Sequence, residues 1–394
     1  MISVLVVDDS VVIRRLVADV LSADPNIRVV GTAANGKIAL TKIDQLQPDI
    51  ITLDVEMPIM DGVTTVRELR KKHPRLPVIM FSTLTSVGAD ATLAALAAGA
   101  SDYVTKPANV GSISESISSV REQLLPRIHA LCGRPKLPPP PARRGPVGAP
   151  PVGGPLARAR TPARPGAQAP ARPGAPVGRG PGRPSAPGIP GGHNRVDVLA
   201  IGSSTGGPEA LRVVLSELPA NLPVPVVVVQ HMPPVFTAML AQRLDAGCKV
   251  KVVEATAGTP LRPGTVYLAP GDKHLEVVRA GTNVQTKLHN GPQENHCRPA
   301  VDVLFRSVAS VYGGNVLAVV LTGMGHDGRA GAQVLRAKGA RIAAQDEFSS
   351  VVWGMPGSVV EAGLADDVLP LSDMTGYILS QLPDRVAATA PGVA

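Results

Sequence analysis

The sequence is poor in cysteine and in aromatic side chains, and each shortage closes off a class of function. Its three cysteines, Cys132, Cys248 and Cys297, are odd in number, far apart and without C-x-x-C spacing. Neither a disulfide framework nor a zinc site is supported, which leaves structural thiols. Aromatic residues make up 2% of the chain, and none lies between Tyr103 and Phe236. No apolar run approaches the ~20 residues of a membrane span, and the start "MISVLVVDDS" lacks both the basic region and the long apolar region of a secretion signal. The expected location is therefore cytoplasmic, with no direct membrane insertion.

Acidic residues are absent from 134–194, where ten Lys and Arg side chains stand among Pro, Gly and Ala. Taking those ten from the net formal charge of +8 leaves −2 for the rest, so the apparent basicity belongs to this stretch alone. Its composition cannot offset ordering entropy by burial, and the segment reads as a disordered Pro/Gly/Arg-rich linker. Without aromatic platforms for bases it argues for no nucleic-acid partner. No basic helix-turn-helix is visible either, which counts against a transcriptional regulator.

What is present is apolar bulk, 44% of 394 residues, arranged twice in the same way. From 1 to about 125 the runs "SVLVV", "DIITL", "PVIMFS" and "DYVT" alternate with helix-period stretches, as expected of a doubly wound parallel α/β sheet. Asp8 and Asp9, Asp54, Ser82 and Lys106 each follow a run, so they should converge at the carboxyl ends of the strands. Any one such acid is ordinarily a turn or a helix cap. Gathered together, three carboxylates repel unless a divalent cation such as Mg²⁺ neutralises them, and a carboxylate can accept a phosphoryl group. Asp54 is then the phosphoacceptor, with Asp8, Asp9, Asp54 and the backbone carbonyl of Glu56 as the metal ligands. Lys106 would pair with the phosphoryl charge and Ser82 would donate to its oxygen.

"VVDDS", "LDVEMPIMDG", "FST" and "GASDYVTKP" resemble a two-component response-regulator receiver domain across residues 1–125. The resemblance implies a flavodoxin-like fold, Mg²⁺-dependent phosphorylation of Asp54 by a histidine kinase, and Ser82 and Tyr103 as the residues that report it.

From 195 to 385 the alternation resumes with "VDVLAIG", "PVPVVVVQ", "TVYLAP", "NVLAVVLTG" and "ARIAAQ", and three polar residues stand just past strands: Ser204, His231 and Asp327. A serine hydroxyl needs an imidazole to take its proton, and the imidazole needs a buried carboxylate behind it. "GSSTGG" fits G-x-S-x-G with Ser204 in the middle, but it also fits a phosphate-cradling turn. The next strand ends in "QHMPP" and offers no acidic ribose partner. Backbone N–H groups of Thr205 and Met324 are the expected oxyanion donors. The chain order Ser, His, Asp differs from that of the α/β-hydrolases.

"AIGSSTGGPEAL", "QHMPP", "RPAVDVLF" and "VLTGMGHDG" resemble the catalytic domain of the CheB-type chemotaxis methylesterases. That resemblance implies a Rossmann-like domain over 195–385, which leaves a linker over 126–194, disordered from 134 by its composition, and a tail over 386–394. It further implies hydrolysis of glutamyl methyl esters on methyl-accepting chemoreceptors, deamidation of receptor glutamines, no cofactor for the esterase reaction, and an active site covered by the unphosphorylated receiver. The remaining alternative is a response regulator with a non-catalytic receptor-binding output. Two departures from the family pattern concern the tuning of the site: His326 beside Asp327, and Asn295-His296-Cys297 where a more basic segment is usual.

Overall fold

The computed structural model describes residues 1–106, 113–133 and 195–383. The expected disorder of 134–194 and the tail from 386 lie outside these residues.

The N-terminal half runs β1 (Ile2–Val7), α1 (Val11–Ser22), β2 (Ile27–Ala33), α2 (Gly36–Leu46), β3 (Ile50–Asp54), α3 (Gly62–Lys72), β4 (Val78–Ser82), α4 (Ser86–Ala97), β5 (Asp102–Thr105) and α5 (Ile113–Cys132). Its sheet is parallel with order β2-β1-β3-β4-β5. The order reverses between β1 and β3, which opens a crevice at their carboxyl ends where Asp8, Asp9 and Asp54 stand. Local sequence starts the helices: Ser10, Asn35, Asp61 and Thr85 each accept the amide three residues on, capping α1 to α4.

β2 was not among the expected strands. It is an edge strand, largely half-buried, and its run "IRVVGTA" lacks the continuous apolar character of the central ones. The N-terminal half also reaches past residue 125. Pro126 forgoes the helical hydrogen bond to the carbonyl of Glu122, yet α5 continues to Cys132 because Leu124 and Ile128 are buried on α1 with Val17, Val20 and Leu21. The stretch from 126 to 132, expected as linker, is helix.

The C-terminal half runs β6 (Val198–Ser203), α6 (Gly207–Ser216), β7 (Val226–Gln230), α7 (Phe236–Gly247), β8 (Lys251–Glu254), β9 (Thr265–Leu268), β10 (His274–Ala280), β11 (Asn283–His289), α8 (Val301–Tyr312), β12 (Val316–Val320), α9 (Arg329–Ala337), β13 (Arg341–Gln345), α10 (Gly354–Glu361), β14 (Asp367–Leu369) and α11 (Leu371–Gln381). Seven of these strands form a parallel sheet, β14-β13-β12-β6-β7-β9-β8, and β10 and β11 form a separate antiparallel hairpin. Here the reversal falls between β6 and β12.

The halves are packed together. One apolar cluster runs from the N-terminal sheet through α4 to α6, α7 and the second sheet. Across this contact the Tyr103 and Phe236 rings stack with centroids 4.8 Å apart, Arg243 pairs with Asp90 at 2.7 Å, and Thr205 Oγ1 donates to Asp102 Oδ2 at 2.7 Å.

Candidate active site

Ser204, His231 and Asp327 follow β6, β7 and β12 and meet at the reversal of strand order. They line one cavity of about 860 Å³ with Asn295, Cys297 and Met324, and its opposite wall is α5, including Gln123 and Arg127. The two adjacent serines are told apart by burial. Ser203 is fully buried and its hydroxyl bonds Gln230 Oε1 at 2.7 Å, whereas Ser204 is half-buried and faces the cavity. The sharp turn that presents Ser204 requires Gly206, which caps α6 at φ +77° and where a side chain would collide with Val351. Pro208 occupies the first turn of α6, where its missing N–H costs nothing.

Asp327 is the most heavily held group of the site. Its Oδ2 accepts the Val301 amide at 2.6 Å and faces His231 Nε2 at 2.8 Å. Its Oδ1 accepts from the Asp302 and Gly328 amides and from Asn295 Nδ2, all at 3.0 Å. Helix α8 has Ala300 at its N-cap and so no local side-chain cap, and a carboxylate brought from the β12 loop caps it instead. Burial alone would push this carboxyl up, but His231 and the amides outweigh it and hold Asp327 below its usual range. Burial likewise works against a charged His231. Its hydrogen bonds to Asp327 and then to Cys297 prevail and raise the imidazole above its ordinary value.

One expected contact is missing. Among the described residues no hydrogen bond joins Ser204 to His231; the second ring nitrogen, Nδ1, faces Cys297 Sγ at 3.5 Å. His326 is exposed and makes no hydrogen bond to Asp327. The Thr205 and Met324 backbone N–H groups donate no hydrogen bond within the described residues. The Thr205 side chain is turned away, to Asp102, which Arg127 also reaches at 3.1 Å.

At the other sheet edge Asp8, Asp9 and Asp54 place carboxylate oxygens within 4.8 Å of one another, Asp8 and Asp54 buried and Asp9 exposed. Lys106 Nζ lies 3.0 Å from Asp8 and 2.8 Å from Asp54. Burial foremost, and then the Asp8 charge, push the Asp54 carboxyl up to about 6 against the pull of Lys106. A cluster of hard oxygen donors short of positive charge suits Mg²⁺. Glu56 lines the same cavity of about 280 Å³ with Asp9, Asp54, Ser82 and Lys106. Ser82 Oγ here donates to the Gly88 carbonyl at 3.1 Å.

Asn295 and Cys297 were expected to bear on the tuning of the site but without a partner, which the contacts to Asp327 and His231 now supply; Asp302 and Asp102 were not expected there. Cys297 and Asn295 stand in the "NHC" segment and Asp302 in "RPAVD", but only a folded chain shows that these loops meet the β7 and β12 ends.

The family model for the response regulator receiver domain matches residues 4–118, and that for the CheB methylesterase matches residues 199–378. Over 390 residues the chain is 53% identical to a protein-glutamate methylesterase/protein-glutamine glutaminase of Nocardioides sp., covering 99% of this chain and 98% of that protein. A protein of the same name from Trichodesmium erythraeum is 44% identical over 379 residues, covering 96% and 98%. Among solved structures, the Thermotoga maritima CheB methylesterase catalytic domain is 43% identical, with a TM-score of 0.47, and covers 48% of this chain and 99% of that one. Two family models on its two halves and this identity along nearly its whole length mean that the chain belongs to the CheB methylesterases with an N-terminal response-regulator receiver domain.

Proposed function

We propose that the chain is a phosphorylation-activated serine esterase that hydrolyses glutamate methyl esters on chemoreceptors, releasing methanol, and deamidates receptor glutamines. The observation that carries this reading is Ser204, His231 and Asp327 around one cavity at the reversal of strand order. Ser204 Oγ attacks the ester carbonyl while His231 takes its proton and Asp327 stabilises the imidazolium. The Thr205 and Met324 N–H groups receive the oxyanion. Collapse expels the alkoxide, which leaves as methanol with the proton from His231; water then attacks the acyl-enzyme by the same route and frees the carboxylate. A glutamine side chain follows the same steps and loses ammonia.

The covered arrangement is a resting state. α5 walls the cavity, and His231 is engaged by Cys297 rather than Ser204. Activation has to withdraw the receiver, which extends through α5 to 132, from the esterase domain over 195–385, and has to let His231 exchange Cys297 for Ser204. Asp54 accepts the phosphoryl group from a histidine kinase. Asp8, Asp9, Asp54 and the Glu56 carbonyl hold the Mg²⁺ that supplies charge neutralisation for that transfer. Lys106, Ser82 and Tyr103 respond to it, and Tyr103 carries the response because its ring lies against Phe236.

The test is methanol release from methylated receptor membranes with and without a small phosphodonor. Release should rise with the donor, and Ser204→Ala should reduce it by up to about a millionfold with the fold retained. Undiminished release by that variant would overturn the assignment of the nucleophile.

A further inference from the structure

The geometry points to Asn295 as a positioning residue of this site: its side-chain amide sits between two buried carboxylates and holds Asp327 in the orientation that His231 requires. The inference rests on the esterase reading above. Asp302 and Asp327 are 3% and 2% exposed. Asn295 Nδ2 lies 2.9 Å from Asp302 Oδ2 and 3.0 Å from Asp327 Oδ1. A primary amide has two N–H donors, so one serves each acid and both are used.

The distribution of donors shows what the bridge achieves. Three donors occupy Oδ1 of Asp327, and Asn295 is the only side chain among them, so Oδ2 is left to face His231. Asp302 Oδ1 is already taken by the Gly331 amide at 2.6 Å. Without Asn295 the two acids would face each other with nothing between, and Asp327 could rotate or take up a proton to relieve the repulsion. A neutral amide separates them without titrating.

The turn that carries Asn295 is shaped for this placement. Asn295 and His296 both have left-handed backbone, φ 53° and 62°, a conformation asparagine tolerates better than most residues. Paired Glu294 and Cys297 backbone groups at 3.0 and 2.9 Å close the turn, and Arg306 on α8 grips Glu294 through both carboxylate oxygens. The charged and titratable groups around the bridge are therefore Asp302, Asp327, His231, Cys297, Glu294 and Arg306.

The test uses the full-length chain with Asn295→Ala and Asn295→Asp, read by methanol release and by the ¹⁵N signal of the His231 imidazole, assigned against His231→Gln. Asn295→Ala should lower kcat by about a hundredfold, the scale of a small misplacement of a catalytic group, with KM within about twofold. Asn295→Asp adds a third like charge, so the His231 titration and the acid limb of kcat/KM should both move to higher pH. A rise in KM with kcat kept would make Asn295 a substrate contact, and would overturn the proposal. So would an unmoved His231 titration in Asn295→Asp, or failure of both variants to fold, which would make the residue purely structural. Absence of methanol release from the unaltered chain would sink the esterase reading, and the imidazole titration would still decide the role of Asn295.

Discussion

The two halves place acids at the same point of the same kind of sheet and make opposite use of them. Asp54 is buried beside another carboxylate with Lys106 as its main relief, and its carboxyl is raised to about 6. Asp327 is as deeply buried, yet three backbone amides, Asn295 and His231 surround it and its carboxyl is lowered. Burial is common to both, so the donor count decides. An acid short of donors is poised to take a cation or a phosphoryl group; an acid with every lone pair occupied is a fixed anion that can steady an imidazolium.

The largest effect that would test this contrast is in the second half. Asp327→Asn keeps the shape but turns an acceptor into a mixed donor, and kcat for methanol release should fall by about ten-thousandfold; a loss under tenfold would mean that the charge of Asp327 is not used. Next comes the contact that joins the halves. Asp102→Ala removes the hydrogen bond to Thr205 and the pairing with Arg127, so basal release without phosphodonor should rise about tenfold, as expected for losing one charge-assisted bond. The more exposed Arg243→Ala should do less, and equal basal rates in all three chains would show that the covered state is held by apolar packing alone.

A third prediction concerns the acid short of donors. Because the folded value of Asp54 lies above the unfolded value of about 4, ionising it without a cation lowers stability as pH rises from about 4 to about 6. Mg²⁺ should therefore raise Tm most above pH 6, and less as the proton reclaims Asp54 below it. A Tm gain independent of pH, or retained in Asp54→Asn, would place the ion elsewhere. The smallest effect is expected from Cys297→Ala. Removing the thiol takes away one of the influences that raise His231, so the acid limb of kcat/KM should move to lower pH by less than about one unit, the scale of a single neighbouring group; a shift to higher pH would reverse the assigned sign.

Much of the site was legible because strand ends are legible. An apolar run followed by Ser204, His231 or Asp327 needs only the rule that parallel strands share a carboxyl edge, and the same rule gathers Asp8, Asp9, Asp54, Ser82 and Lys106. The partners of those residues were less so. Asn295 and Cys297 sit in a turn with no strand to point them, and Asp102 meets Thr205 across 103 positions of sequence. The end of α5 lies beyond the expected boundary at 125, because burial of Ile128 carries the helix past Pro126 to Cys132.

By itself the sequence determined the two parallel α/β sheets, through apolar runs of strand length separated by helix-period stretches, and it determined which polar residues close those runs. Local caps such as Ser10 and Asp61 belong to the same account. The tertiary structure alone decided that Asp327 caps a helix begun 26 residues earlier, that His231 rests on Cys297, and that α5 stands over Ser204. The physical reason is that periodicity records which face of an element is buried, whereas hydrogen bonds between loops depend on how far packing brings those loops together, which no local pattern encodes.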